Sequence, residues 1–184
     1  MLPGALPGSQ GDLPMTSLQT SKLVGYPWSD LFNLVLDVAS YREFVPYCRE
    51  VKILSRATQA PEMTIIVSRM TVGFSVFEVG YANRTTGDAI ARRIDVEALD
   101  GPLRYLRAQW RFEPRGEAQT ELGFSVDYEF SNAVLGGVAS TVFAAMFGKI
   151  LNAFEQRAAH LFHDTSFAGA APDGSTPQRR LTTS

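Results

Sequence analysis

The sequence predicts an α+β fold of the helix-grip type, in which a curved antiparallel sheet wraps around one long C-terminal helix. Two observations lead to this prediction. Six segments with strand-like alternation follow one another between Cys48 and Phe130, separated by short turn-forming stretches. The segment from Ser131 to His163 then contains no proline, and its second half repeats apolar residues at helical spacing. A sheet with one apolar face must curl around the single long helix to bury both surfaces.

The N-terminal part adds a strand and two short helices. Thr16 to Val24 alternates as a strand, and Tyr26-Pro27 then begins a helix, since proline is tolerated in a first turn. Ser40 to Pro46 predicts a second, very short helix that the proline ends. We therefore expect one domain over residues 15–165. Residues 1–14 and 166–184 are expected to be disordered tails, because they are rich in proline and glycine.

The strands of the predicted meander have one apolar, aromatic face and one charged face. Alternation is most regular from Thr120 to Phe130, where aromatic and aliphatic residues occupy every second position. Thr86-Gly87-Asp88 is predicted to be a turn. The six strands are expected at Cys48 to Ser55, Glu62 to Val72, Phe74 to Thr85, Ala89 to Leu99, Leu103 to Glu113 and Thr120 to Phe130.

The first half of the long helix has no polar side. No residue between Glu129 and Lys149 carries a charge, so this half needs an apolar environment all round. Protein core, a lipid-like ligand or a membrane surface could supply it. A membrane span is the weakest of the alternatives, because glycine, serine and threonine dilute the hydrophobicity. Val134, Val138 and Val142 are expected either to touch a membrane or to pack under a mobile cover formed by residues 44–47. Gly136-Gly137 would let this half swing aside.

Composition narrows the possible functions. The net charge is −2 over 184 residues, which gives no bulk attraction to nucleic acid, and we expect no DNA partner. Cys48 is the single cysteine, so an intramolecular disulfide and a cysteine-built metal site are excluded. Residues 1–14 lack the basic and apolar regions of a signal peptide. A cytoplasmic protein is the simplest interpretation.

Candidate catalytic and metal-binding groups have simpler interpretations. His160 and His163 have a possible metal spacing, but a solvated pair is favoured because acids and cysteines are scarce nearby. Asp95 and Glu97 could act as paired carboxylates, although arginines on the same and the next strand favour a charged outer ladder. Cys48 has no histidine near it in the chain to act as a base. We therefore expect a protein without catalytic residues, metal or cofactor.

A space between the sheet and the long helix is the candidate binding site. Its walls are aromatic, and on pattern alone these side chains could equally fill the core. The residues expected to line the space or its cover are Phe44, Pro46, Tyr47, Trp110, Phe112, Phe124, Tyr128, Phe130, Val138, Val142 and Met146.

Several segments together resemble one known family. Leu36 to Cys48 reads LDVASYREFVPYC and is similar to the D-V-x-x-Y-x-x-F-x-P-x-C segment of the coenzyme Q-binding START-domain family. That family includes bacterial ribosome-association toxin relatives. Further similar segments follow in the same order: Asp100 to Leu103, Trp110 to Phe112, Tyr128 to Asn132 and Ala153 to Ala158. The resemblance covers Thr16 to Phe162 and implies a helix-grip fold of the START/Bet v 1 type with a real cavity.

The resemblance also implies a function. Quinone-binding members of the family are non-catalytic, so we expect a protein that holds ubiquinone, or another polyprenyl quinone or lipid, as a bound ligand. Such a protein would touch a membrane surface transiently, lie peripherally on the inner membrane and support delivery to respiratory complexes. The alternative is a regulator that binds the large ribosomal subunit through Arg42, Arg49, Lys52 and Arg56. A cyclase or aromatase using Tyr128 and Arg104 is the third hypothesis.

Overall fold

A computed structural model describes residues 15–60, 62–74, 77–131 and 146–162. The chain begins with β1 (Thr16–Val24), α1 (Trp28–Leu36), a 3₁₀ turn (Val38–Ser40) and α2 (Tyr41–Phe44). Six strands follow: β2 (Cys48–Ala60), β3 (Met63–Phe74), β4 (Phe77–Asp88), β5 (Arg93–Ala98), β6 (Leu103–Pro114) and β7 (Thr120–Phe130). Residues 146–162 are helical and are called α3. The predicted element order is confirmed, and the first half of the predicted long helix lies outside the described residues.

All seven strands form one curved antiparallel sheet. Their order is β1-β7-β6-β5-β4-β3-β2, so β2 to β7 pair with their neighbours in sequence and β1 joins the far edge beside β7. The register keeps the alternation of each strand in phase with the next, for example Ile94 with Trp110 and Trp110 with Phe124. Apolar residues therefore collect on one face, which we call the inner face.

The helices α1 and α3 cover the inner face. Phe32 of α1 packs edge-on against Phe112 with ring centroids 5.6 Å apart, and Phe154 of α3 meets Trp110 at 5.1 Å. Leu31 and Val35 of α1 complete this core. Full burial of each such side chain contributes roughly 1.5–3 kcal/mol, so the contact with α1 and α3 is the main term that holds the curved sheet. The predicted helix-grip architecture is confirmed.

The predicted turn at residues 86–88 is wrong. This segment belongs to β4, and the turn comes later, at residues 89–92. A Cβ on Gly87 would lie 2.9 Å from Leu36 Cδ1 and 3.1 Å from Phe32 Cζ. The glycine is therefore needed for the close approach of α1 to the sheet and not for chain reversal. The later turn is held by Asp88 Oδ1, which accepts from the Ala91 N–H at 2.9 Å, so β5 begins at Arg93 and not at Ala89.

The outer face of the sheet carries the charges. Arg84, Glu97, Arg107 and Asp127 follow one another across four strands in register, with alternating sign. Asp95 accepts from Arg93 at 2.8 Å and from Gln109 at 2.7 Å, and Glu97 pairs with Arg84. The predicted charged outer ladder is confirmed. A shallow groove of about 530 Å³ runs over these residues.

Asp100 anchors the turn between β5 and β6. Its carboxylate accepts from the Ala82 backbone N–H at 2.5 Å and from the Arg69 guanidinium at 2.6 Å. The backbone hydrogen bond, helped by Arg69, holds the pKa of Asp100 below its usual value. A lowered pKa means that folding favours the carboxylate. Asp100 therefore contributes to stability above the ordinary pKa of about 4, and the contribution disappears as the pH falls through the lower folded value.

Substitution Asp100→Asn is expected to destabilise the protein at neutral pH and to lose this effect in acid. Urea unfolding of parent and variant at about pH 7 and about pH 3 measures the difference. The variant Glu117→Gln, on the exposed turn between β6 and β7, controls for the loss of one negative charge. An equal destabilisation by Asp100→Asn at both pH values would contradict the role of the ionised carboxylate.

Candidate ligand-binding interior

An aromatic cluster joins the sheet to α3. Trp110 is 4% exposed and contacts Phe124 at a centroid distance of 4.2 Å, and Phe124 stacks on Phe147 of α3 at 5.1 Å. Trp110 also meets Phe154. Alternation along β6 and β7 places both sheet aromatics on the inner face, and the seven-residue spacing of Phe147 and Phe154 returns them to one side of the helix. We call Trp110, Phe124, Phe147 and Phe154 the aromatic cluster.

A cavity of about 240 Å³ lies beside the aromatic cluster, between β1, α1 and α3. Its walls are largely apolar, and Lys22 Nζ donates to Glu155 Oε2 at 2.6 Å at its edge. An apolar cavity of roughly 150 Å³ already holds a benzene ring in another protein, so this one can hold an apolar group of that size. The lining residues are Lys22, Leu23, Val24, Gly25, Tyr26, Leu31, Leu34, Val35, Trp110, Leu122, Phe154, Glu155 and Ala158.

The residues of α1 that line this cavity were not among the predicted site residues. Of the predicted residues that the structure describes, Trp110 alone lines the 240 Å³ cavity. Leu31, Leu34 and Val35 show the spacing of an apolar helix face, so their burial could be read from the sequence. Their meeting with Trp110 could not, because it depends on how α1 crosses the sheet.

The segment predicted to form a cover is attached to α3. Phe44 packs edge-on against Phe154 at 5.0 Å, and Arg157 lies over the Phe44 ring at 5.4 Å while it donates to Glu43 at 2.8 Å. Tyr47, whose φ is +66°, accepts a hydrogen bond at its hydroxyl from Lys149 Nζ at 3.0 Å. Pro46 between them is half-buried. Residues 43–47 thus contact α3 at positions two turns apart.

The other predicted site residues fall into separate places. Phe112 is fully buried against Phe32, and Tyr128 is 1% exposed with its ring 5.7 Å from that of Phe130. Met146 is half-buried at the described start of α3. Val138 and Val142 lie outside the described residues.

Neutral polar groups also lie on the inner face, and sequence reasoning missed them. Ser68 Oγ donates to Asn83 Oδ1 at 2.9 Å, and both residues are buried. Tyr81 donates from its hydroxyl to Met70 Sδ at 3.7 Å, and burial raises the pKa of Tyr81 to about 12. The available signal was the alternation of β3 and β4, which places Ser68 between Ile66 and Met70 on one face and Asn83 between Tyr81 and Thr85 on the same face.

The cyclase hypothesis depends on two candidate groups, Tyr128 and Arg104, and Arg104 does not lie in the interior. Arg104 is exposed and pairs with Glu129 at 3.1 Å on the outer side of the sheet. Tyr128 lies inside. Burial raises the pKa values of the Cys48 thiol and the Tyr41 hydroxyl, so neither group is a thiolate or phenolate at neutral pH.

Within residues 15–162, as far as they are described, no three or more His, Cys, Asp or Glu side chains form a group that could hold a metal. His160 is exposed, and His163 lies outside the described residues. In the same parts of the chain, no helix is long and apolar enough to cross a bilayer.

Comparison with known proteins identifies the family. Residues 24–155 match the family described as "Polyketide cyclase / dehydrase and lipid transport". The chain belongs to this family. The match begins at the last residue of β1 and extends into α3, so it covers β2 to β7, α1, α2 and the aromatic cluster.

Two relatives and one solved structure are similar to this chain. The ribosome association toxin RatA of Rickettsia prowazekii (strain Madrid E) is 31% identical over 147 residues, which are 78% of this chain and 97% of that protein. The mitochondrial coenzyme Q-binding protein COQ10 of Drosophila melanogaster is 30% identical over 139 residues, or 73% of this chain and 55% of that protein. A START superfamily protein from Mycobacterium smegmatis has a TM-score of 0.66 at 17% identity and covers 79% of this chain and 98% of its own. This last likeness concerns the fold alone, and it agrees with the expected START-type architecture.

Proposed function

We propose that this protein is a non-catalytic lipid-binding protein that holds a polyprenyl quinone, coenzyme Q, between its sheet and α3, and that it supports delivery of the quinone to the respiratory chain. One observation carries the proposal: every buried side chain of the described residues in β3 to β7 is uncharged, and the buried polar ones, Ser68, Asn83, Thr85 and Thr120, are neutral. The relative named as a coenzyme Q-binding protein supports it.

A largely apolar interior, with the Lys22–Glu155 ion pair at the edge of its cavity, suits this ligand for a simple reason. Burial of each methylene of a polyprenyl tail contributes about 0.8 kcal/mol, so a few buried units hold the tail without a charged contact. The aromatic cluster offers ring faces to the tail or to the quinone ring. The protein would take up and release its ligand at the cytoplasmic side of the inner membrane, through transient peripheral contact.

The experiment is direct. The purified full chain is mixed with a long-chain benzoquinone, separated from free lipid and extracted with organic solvent, and the extract is analysed for quinone. We expect about one quinone per chain. A chain that remains quinone-free after repeated loading would refute the proposal.

The buried hydroxyl and thiol groups favour a ligand-binding protein over an enzyme that works by base catalysis. The buried hydroxyl and thiol groups of Tyr41, Tyr81 and Cys48 stay protonated at neutral pH because burial raises their pKa values, so none of them can act as a general base. We therefore expect the extracted quinone to be chemically unchanged.

The alternative function is association with the large ribosomal subunit, which the relatives named RatA favour. Arg42, Arg49, Lys52 and Arg56 are all exposed on α2 and β2. Lys52 is the register partner of outer-face Arg69 and Arg56 that of inner-face Ile66, so the four do not share one face of the sheet. Under this alternative the protein would co-sediment with large subunits at low salt, and binding would weaken with added salt and with Arg42→Ala or Arg49→Ala. Absence of co-sedimentation at low salt would eliminate it.

A further inference from the structure

A buried polar pair interrupts the apolar inner face of the sheet. Ser68 of β3 and Asn83 of β4 are register partners and are 0% and 2% exposed. Ser68 Oγ donates to Asn83 Oδ1 at 2.9 Å. A buried amide is costly unless its polar atoms are hydrogen-bonded, and an apolar residue would avoid this cost. The presence of asparagine here therefore needs a reason beyond packing.

The bond to Ser68 satisfies only part of the Asn83 amide. An asparagine side chain has one acceptor oxygen and an NH₂ group with two donors. Because Oδ1 accepts the hydrogen bond from Ser68 on β3, Nδ2 is the amide atom that this bond does not use. Among the described residues, Nδ2 has no hydrogen-bond acceptor. Nδ2 is not one of the fully buried unpaired side-chain atoms of the described residues, so it keeps some accessible surface, and a bound group that presents an acceptor oxygen can reach it.

The surroundings of Asn83 define the chemistry of such a group. Its register partner on β5 is Ala98, whose side chain is only a methyl group. The next inner-face pair along the strands is Met70 with Tyr81, and the Tyr81 hydroxyl keeps its proton at neutral pH. No charged residue of the described strands β3 to β7 shares this face. The site therefore suits a neutral head group with carbonyl or ether oxygens and offers no cation to an anionic one.

The aromatic cluster lies at a suitable distance from Asn83. Ala98 pairs with Asn83, and Ile94, four residues earlier on β5, pairs with Trp110. At about 3.3 Å per residue this separates the two positions by roughly 13 Å along the strand. One ligand can thus reach both, with its polar end at Asn83 and an apolar chain directed toward Trp110.

We infer that Asn83 is a specificity-determining residue, positioned by Ser68, whose Nδ2 donates to a ring carbonyl of a neutral isoprenoid quinone. The inference rests on the proposed function and adds a selectivity: quinones are bound in preference to hydrocarbons and to anionic lipids of the same tail length. The carbonyl oxygens of a quinone only accept hydrogen bonds, so a quinone complements the NH₂ donor of Asn83.

The test compares ligands and variants in the full chain. Quenching of tryptophan fluorescence measures the Kd for a long-chain benzoquinone, and displacement of that quinone measures the Kd for a polyprenyl hydrocarbon and for a fatty acid of similar length. Asn83→Leu keeps the size of the side chain and removes its polarity. We expect the parent to prefer the quinone about tenfold over the hydrocarbon, and the variant to lose about tenfold in quinone affinity with hydrocarbon affinity unchanged. Ser68→Ala should reduce the preference by a smaller factor.

The outcomes separate the inference from the proposed function. Equal quinone affinity in parent and Asn83→Leu, or an equal loss for quinone and hydrocarbon, would overturn the role of Asn83 while quinone binding itself stands. A parent chain that binds neither ligand would refute the proposed function. Thermal unfolding shows whether each variant is folded, and Asn83→Val, which also has no hydrogen-bond donor, provides a second variant with the same expected loss of preference if leucine prevents folding.

Discussion

Substitution Phe154→Ala is expected to lower the free energy of unfolding by about 3–5 kcal/mol, the range for removal of a buried phenylalanine. Phe154 is buried, and its ring meets those of Tyr41, Phe44 and Trp110 at centroid distances of 5.0–5.2 Å. The ring thus connects α3 with α2 and with the sheet at once. Alanine would leave a cavity where these three elements meet, and none of them can move to fill it without losing contact with the others.

Chemical denaturation followed by circular dichroism measures this effect. Gln156→Ala is the matched control, because Gln156 is exposed on the same helix and its removal should change stability by less than about 0.5 kcal/mol. A loss below about 1 kcal/mol for Phe154→Ala would mean that α3 is not held by the aromatic cluster.

The second large effect concerns ligand binding. Ala98→Phe places a ring on the inner face opposite Asn83, in the space assigned to the quinone head group. We expect quinone loading to fall to less than about a tenth of the parent value. The added volume is also expected to cost about 1–3 kcal/mol of stability through overpacking, so the variant must be shown to be folded at the loading temperature.

Leu99→Phe provides the control for Ala98→Phe. Leu99 is the next residue, and it is exposed, so the larger ring there stays out of the interior. Its variant should load quinone as the parent does. Undiminished loading in folded Ala98→Phe would show that the ligand does not occupy this part of the inner face.

Local patterns predicted most of the fold. The bounds of β1 and β7 agree with the prediction at both ends, because regular alternation stops at turn-forming residues. The turn predicted at Gly87 was wrong, because the close approach of α1 requires a glycine there and the local backbone does not. Contacts between distant elements decide such positions, and a single sequence carries no local trace of them.

The candidate site was less accessible to prediction than the fold. Trp110 and Phe124 were recognised because large aromatic residues at alternating positions predict an inner face. Ser68 and Asn83 were missed because each is unremarkable alone, and only the register of β3 with β4 brings them together. The contacts of Phe44 and Tyr47 with α3 depend on tertiary packing in the same way.

The pairing of β1 with β7 has a consequence for how the chain folds. Strands β2 to β7 each find a partner nearby in sequence, whereas Thr16 must find Tyr128 across almost the whole domain. Closing a loop of this length costs about 2 kcal/mol more than closing one of ten residues. Local hairpins should therefore form early and the β1 pairing late. Strand β1, which is synthesised before the other six strands of this sheet, is therefore expected to be hydrogen-bonded last, and until it pairs β7 remains an open edge at which a second chain could pair.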